Sequence, residues 1–159
     1  MLSYIKWTIK NIDFTSVIIL TESGVWYEIN INELIYASIF EKKEVELYVY
    51  HSISENGQSL FWFLSFDDRV LFKELIKISG VWGRVAQAIL SLWSSRLKRA
   101  ILDDDKKTIE SAKWVWKKMA EKIVLELSDK DIVKNFEYEQ TSQEKKQNTA
   151  SNIKKDLRS

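Results

Sequence analysis

The chain has no cysteine and a single histidine among its 159 residues. The first absence excludes disulfide frameworks, thiolate metal centres and cysteine nucleophiles; the second leaves too few imidazoles for a zinc cluster or a serine-protease-like relay. Proline is absent too, and lysine, isoleucine and asparagine abound, a composition compatible with an A+T-rich coding sequence. No stretch approaches the length of a membrane span. Met1 to Phe14, which carries Lys6, Lys10 and Asp13, lacks the unbroken apolar centre of a secretion signal. A cytoplasmic protein with no membrane partner is expected. The chain also lacks a G-x-x-x-x-G-K-[ST] phosphate loop and any acid/base or nucleophile constellation, so neither an ATPase of its own, nor another catalytic site, nor a cofactor is expected.

What is present suffices for packed cores: 45% hydrophobic residues and 13% aromatics. The net charge of +1 conceals a split. Residues 1–63 hold 4 basic and 8 acidic side chains, net −4; residues 64–130 hold 14 and 10, net +4. A basic half suits phosphate binding, although basic helices are more often solvated faces.

Up to about Phe63 the apolar residues alternate. Ile5, Trp7 and Ile9 share one side of a strand against Lys6, Thr8 and Lys10, and Val25, Tyr27, Ile29 and Ile31 oppose Trp26, Glu28 and Asn30. Val17–Leu20, Val45–Val49 and Leu60–Phe63 add strands, with Asn56-Gly57 as a two-residue hairpin turn between the last two. Five or six short strands in some sixty residues predict a small barrel such as an oligonucleotide-binding (OB) fold. Beyond Leu64 the period becomes helical. Ser65 with Asp68 opens a helix through Lys77, another follows Gly83, and the chain stays helical with short breaks to about Asp129. The expectation is an α+β chain: an OB-fold barrel over 1–63, an all-α domain over 64–130, and a flexible linker or tail over 131–159.

The helical half contains a repeat. Gly80-Val81-Trp82, Arg84, Ala86 and Ile89-Leu90 recur as Trp114-Val115-Trp116, Lys118, Ala120 and Ile123-Val124, an offset of 34 residues. Each copy is a short turn feeding a helix that is apolar on one face and basic in its first turn. This is a tandem helix-hairpin-helix layout. Such a turn aims backbone N–H groups at an anion, so two of them suit the phosphates of a DNA strand without reading bases. The candidate DNA-binding residues are therefore Gly80, Val81, Trp82, Gly83, Arg84, Trp114, Val115, Trp116, Lys117 and Lys118. Ordinary helix connections in a bundle would explain one copy but explain two less well.

The run Leu71-Phe72-Lys73-Glu74-Leu75-Ile76-Lys77, Gly80-Val81 and then Ala86, Ala88-Ile89-Leu90-Ser91 resembles the first hairpin of the RuvA family. These are the Holliday-junction-binding subunits of the bacterial RuvAB branch-migration helicase. Lys117-Lys118, Ala120-Glu121-Lys122-Ile123-Val124-Leu125-Glu126-Leu127 resembles the family's second hairpin, and the likeness covers roughly residues 1–130. It implies an OB barrel with tandem hairpins, a homotetramer holding four-way junction DNA in an open square, and a RuvB motor that supplies ATP hydrolysis. RuvC resolvase is a further candidate partner. Glu55-Asn56 matches the family's acidic pin, which keeps strands apart by repelling phosphates, with one of its two acids replaced by Asn56. A plain Asn-Gly turn explains Asn56 equally well. The family's third domain, which contacts RuvB, is expected to be missing beyond Ser159, so the chain is either a fragment or a form that recruits its motor differently.

All seven tryptophans, Trp7, Trp26, Trp62, Trp82, Trp93, Trp114 and Trp116, fall on glycine positions of the family pattern, and the repeat itself aligns Trp114 with Gly80. A UGA codon read as glycine in the cell but written as tryptophan would produce this. Tryptophans that pack the barrel or stack bases are the alternative, and would suit a general single-strand nucleic-acid binder. A protein-interaction scaffold without DNA affinity is the remaining rival. His51 beside Tyr50 is expected to be structural, Asp103-Asp104-Asp105 to be a solvated helix start, and Tyr48 and Tyr50 to lie on a sheet surface or subunit interface.

Overall fold

The alternating stretches form five strands in a computed structural model that describes residues 4–142. These are β1 (Tyr4–Ile12), β2 (Ser16–Leu20), β3 (Trp26–Asn30), β4 (Glu44–Ser54) and β5 (Gly57–Phe63). They close a barrel in the order β1-β2-β3-β5-β4, with β4 pairing back onto β1. This agrees with the OB-type barrel expected from the strand spacing. The parallel seam between β3 and β5 rests on one residue pair, Asn30 with Phe61, and is reinforced by the Asn30 side chain, whose Nδ2 donates to the Leu60 carbonyl at 2.8 Å. At the β1–β2 turn the Asp13 carboxylate accepts from the N–H groups of Thr15 (2.7 Å) and Ser16 (2.8 Å) and from both hydroxyls. Those bonds, the Thr15 N–H foremost, hold its pKa down at about 2.

A short helix, α1 (Glu33–Ile39), lies between β3 and β4 and was not foreseen. Asn32 caps it, with Oδ1 accepting from the Ile35 N–H at 3.0 Å, and Ile35 and Ile39, one turn apart, plug the barrel. Seven residues with two buried positions carry too little periodicity to read as a helix. Val17, Ile19, Ile29, Leu47 and Val49 fill the interior together with Trp7 and Trp62.

The end of β5 explains how the two halves join. Phe61, Trp62 and Phe63 are all buried, Trp62 inside the barrel and its two neighbours in the core of the helical half. A strand covered on both faces reads as an unbroken apolar run, as Leu60–Leu64 does. Phe72 sits at the centre of this joint, 5.0 Å from Phe61, 4.9 Å from Phe63 and 5.3 Å from Tyr50, ring centre to ring centre. Full burial of such a ring stabilises the fold by about 1.5–3 kcal/mol. Tyr48 and Tyr50 pack against this same core, so they belong to a contact within the chain.

The helical half comprises α2 (Phe66–Leu75), α3 (Gly83–Leu90), α4 (Ser94–Leu102), α5 (Lys106–Glu110) and α6 (Lys117–Leu127). Ser65 caps α2 as expected, its Oγ accepting from the Asp68 N–H at 3.1 Å. Where a tail was expected from 131, the chain instead forms a further helix, α7, over 131–142. Val133 is fully buried in the helical core, and the Phe136 ring lies 5.5 Å from the Lys98 ammonium. One buried valine and one aromatic among polar residues are a weak helical signal, and the tertiary contact supplies the rest. The tail expected over 143–159 lies outside the described residues.

Candidate nucleic-acid interface

The 34-residue repeat is a repeat of backbone structure. In the first hairpin, between α2 and α3, the Ile78 N–H donates to Leu75 (3.0 Å), Val81 to Ile78 (3.0 Å) and Ala86 to Trp82 (2.8 Å). In the second, between α5 and α6, Ala112 donates to Ile109 (3.2 Å), Val115 to Ala112 (3.3 Å) and Ala120 to Trp116 (3.0 Å), each bond displaced by the same offset. Trp82 and Trp116 precede their helices in nearly identical conformations, φ −93, ψ 166 and φ −110, ψ 168. Gly80 has φ 89 and Trp114, its counterpart, φ 63.

Both helices begin without a side-chain cap and without an acidic residue in the first turn. By contrast α1, α2 and α5 are capped by Asn32, Ser65 and Asp105, whereas α4, which follows Trp93, shares the uncapped start of the two hairpin helices. In α3 the first N–H consumed is that of Ala86, so those of Gly83, Arg84 and Val85 have no acceptor among the described residues; in α6 the same holds for Lys117, Lys118 and Met119. An uncapped helix start presents oriented N–H groups and the positive end of the macrodipole, which together favour an anion. Arg84, Lys117 and Lys118 are exposed beside these starts.

The positions singled out in the sequence do not all do the same thing. Val81 is buried and Val115 partly so, and their N–H groups close the turns; their part is to hold the hairpin. Gly83 is close-packed. A Cβ there would meet the Phe61 ring at 2.4 Å, so glycine lets α3 approach β5, and the second hairpin carries Lys117 at the corresponding place. Trp82, Trp114 and Trp116 stand exposed around the two turns.

Arg84 lines a groove of about 590 Å³ with Tyr27, His51, Gln58 and Leu60, which places it beside the β4–β5 hairpin; the second hairpin does not reach that groove. His51 Nε2 and Gln58 Oε1 are 2.9 Å apart across the two strands. At the tip Ser54 pairs with Gly57, so Glu55 and Asn56, both exposed, form the turn, and the positive φ falls on Gly57 (124). The turn is therefore one residue earlier than the Asn56-Gly57 expected from the sequence, because glycine takes the left-handed position at the start of β5. Asp105 caps α5, accepting from the Thr108 N–H at 3.1 Å and hydroxyl at 2.6 Å, and those bonds lower its pKa.

Residues that position the site were missed in the sequence. Gln87, buried in α3, donates from Nε2 to the carbonyls of Trp62 (3.0 Å) and Asn30 (3.2 Å), and its main-chain carbonyl accepts from Asn32 Nδ2 at 3.1 Å. Arg69 Nε donates to the Val49 carbonyl at 2.7 Å. The available signal was a polar residue on the helix face that also bears Ala86, Ile89 and Leu90.

The arrangement defines an α+β protein in which an OB-type barrel carries two repeated helix-hairpin-helix units. The chain belongs to the RuvA family. Residues 1–61 match the RuvA N terminal domain. The curated relatives it is similar to include several named Holliday junction branch migration complex subunit RuvA. That of Acetivibrio thermocellus is 37% identical over 134 residues, 82% of this chain and 65% of the relative. That of Oleidesulfovibrio alaskensis is 32% identical, covering 82% and 66%, and that of Lachnospira eligens 32% identical, covering 96% and 74%. The chain thus spans just under two thirds of the length of the first two.

Proposed function

We propose that this protein holds four-way DNA junctions by their sugar-phosphate backbone, as the non-motor subunit of a branch-migration complex. The observation that carries this is the pair of hairpins with the same backbone, each ending in an uncapped helix start flanked by exposed bases. Phosphate contacts from Gly83, Arg84, Lys117, Lys118 and their N–H groups grip DNA without reading its sequence. In this reading Glu55 and Asn56 form the pin at the junction centre, four copies surround the junction, and a RuvB-type motor, with RuvC resolvase alongside, completes the assembly. The names of the relatives support the complex as a whole.

Gel-shift titration of a four-way junction against linear duplex of the same sequence tests this. Tighter binding to the junction, with log affinity falling linearly in log salt, is the expected outcome. Equal affinity for the two would sink it. The exposure of Trp26, Trp82, Trp93, Trp114 and Trp116 favours a second reading, a single-strand binder that stacks bases on indoles. That reading requires quenching of tryptophan fluorescence by oligonucleotides and no preference for junctions.

A further inference from the structure

Three residues other than glycine have positive φ among the described residues, and two of them are tryptophans: Trp93 (φ 65) and Trp114 (φ 63). The third, Asp104 (φ 55), is of a type that tolerates the left-handed region, whereas a bulky ring there is an outlier. Trp93 at φ 65, ψ 135 lies beyond the left-handed helical region, close to conformations that only glycine commonly occupies. Trp114 occupies, bond for bond, the place that Gly80 takes in the first hairpin. Both rings are more than half exposed.

Trp7 and Trp62 fill space in the barrel but leave their indole N–H groups buried without a partner, where tryptophan ordinarily finds one. Trp26, Trp82 and Trp116 are largely exposed. Not one of the seven both buries its ring and pairs its N–H. The chain holds only four glycines beside these seven tryptophans; the eleven together would make about 7% of the chain, the average usage of glycine.

We infer that the codon written as tryptophan at Trp93 and Trp114 is decoded as glycine in the cell that carries this gene, and that the same decoding applies to the other five. Both hairpin turns then read glycine-valine-glycine, at residues 80–82 and 114–116. Backbone strain disappears from the second hairpin and from the start of α4, and the residue before each uncapped hairpin helix carries no side chain.

The test is peptide mapping by mass spectrometry of the full-length protein purified from its native cells. A tryptic digest isolates residues 85–96 with Trp93, and a glutamate-specific digest isolates 111–121 with Trp114 and Trp116. Glycine masses at both 93 and 114, with an intact mass lowered accordingly, are expected. Tryptophan at either of those two positions overturns the inference. The measurement involves no DNA, so its outcome stands apart from that of the junction-binding assay.

Discussion

The two hairpins share a backbone and differ in what surrounds them. The first is clamped to the barrel: Gly83 lies against Phe61, and Gln87 bonds the main chain of both β3 and β5. The second is held by apolar packing within the helical half, with Met119, Ile123 and Leu127 of α6 buried against that core. At the places of Gly83 and Gln87 it carries Lys117 and Glu121, both exposed. A repeat in sequence thus sets equivalent turns, while the neighbours decide which repeated position is packing and which is free to carry charge. The first hairpin gains a fixed orientation to the β4–β5 turn, and the second gains a second cation.

The largest effect expected from this asymmetry is at Gly83. Gly83→Ala forces a Cβ into the Phe61 ring and should destabilise the fold by about 1–3 kcal/mol, read by urea denaturation. Lys117→Ala at the equivalent place should stay within about 0.5 kcal/mol. Equal losses would break the comparison. Gln87→Ala leaves the carbonyls of Asn30 and Trp62 without their side-chain donor and should cost about 1–3 kcal/mol, again with little change for Glu121→Ala.

The turns themselves supply a sharper comparison. No atom lies closer than 4.0 Å to a Cβ at Gly80, so Gly80→Ala pays only for positive φ, about 1–2 kcal/mol. In recombinant protein made with tryptophan at all seven positions, Trp114→Gly should raise stability by about 1 kcal/mol, the relief of strain exceeding the entropy of glycine. A drop would show that the ring at 114 has a partner in solution.

For binding, replacing Lys117 or Lys118 by alanine should reduce the slope of log affinity against log salt by about 1 each, and Arg84→Ala by about 1. The double variant in the second hairpin should therefore lose about twice the slope lost in the first. Identical slopes in all variants would remove these side chains from the phosphate contacts.

The smallest effects concern pH. Each hairpin carries one acid with a lowered pKa. In the first it is Glu74, through the hydrogen bond from Lys77 at 2.6 Å and then the ion pair with Lys130 at 3.3 Å; in the second it is Asp105, through Thr108. A depressed carboxylate stabilises the fold above its ordinary pKa, and that contribution fades as pH falls below this value. Glu74→Gln and Asp105→Asn should each flatten the stability curve on the acid side and leave its slope near neutrality unchanged, as followed by thermal melts across pH.

Much of the barrel was legible, because alternation at Ile5-Trp7-Ile9 and at Val25 to Ile31 has one dominant solution when a single face is buried. The helix starts were legible at Ser65, where a hydroxyl marks the cap. The turn at Glu55-Asn56 was misplaced by one residue, since Asn-Gly has two registers in a hairpin and only the pairing of Ser54 with Gly57 selects between them. The short α1 and the helix over 131–142 were missed because their stability comes from tertiary packing rather than from local pattern. Within the candidate site, the sequence pointed to the repeated turn but not to the division of labour inside it.

By itself the sequence determined the succession of a strand half and a helical half, the equivalence of the two hairpins and the basic residues beside them, all of which rest on periodicity and spacing that act locally along the chain. Only the tertiary structure decided that Gly83 is there for Phe61, that Gln87 and Arg69 tie the helices to the barrel, and that Val81 and Val115 spend their N–H groups inside the turns. Such roles depend on which atoms meet across long separations in the chain, and a close approach or a consumed donor has no counterpart in local pattern.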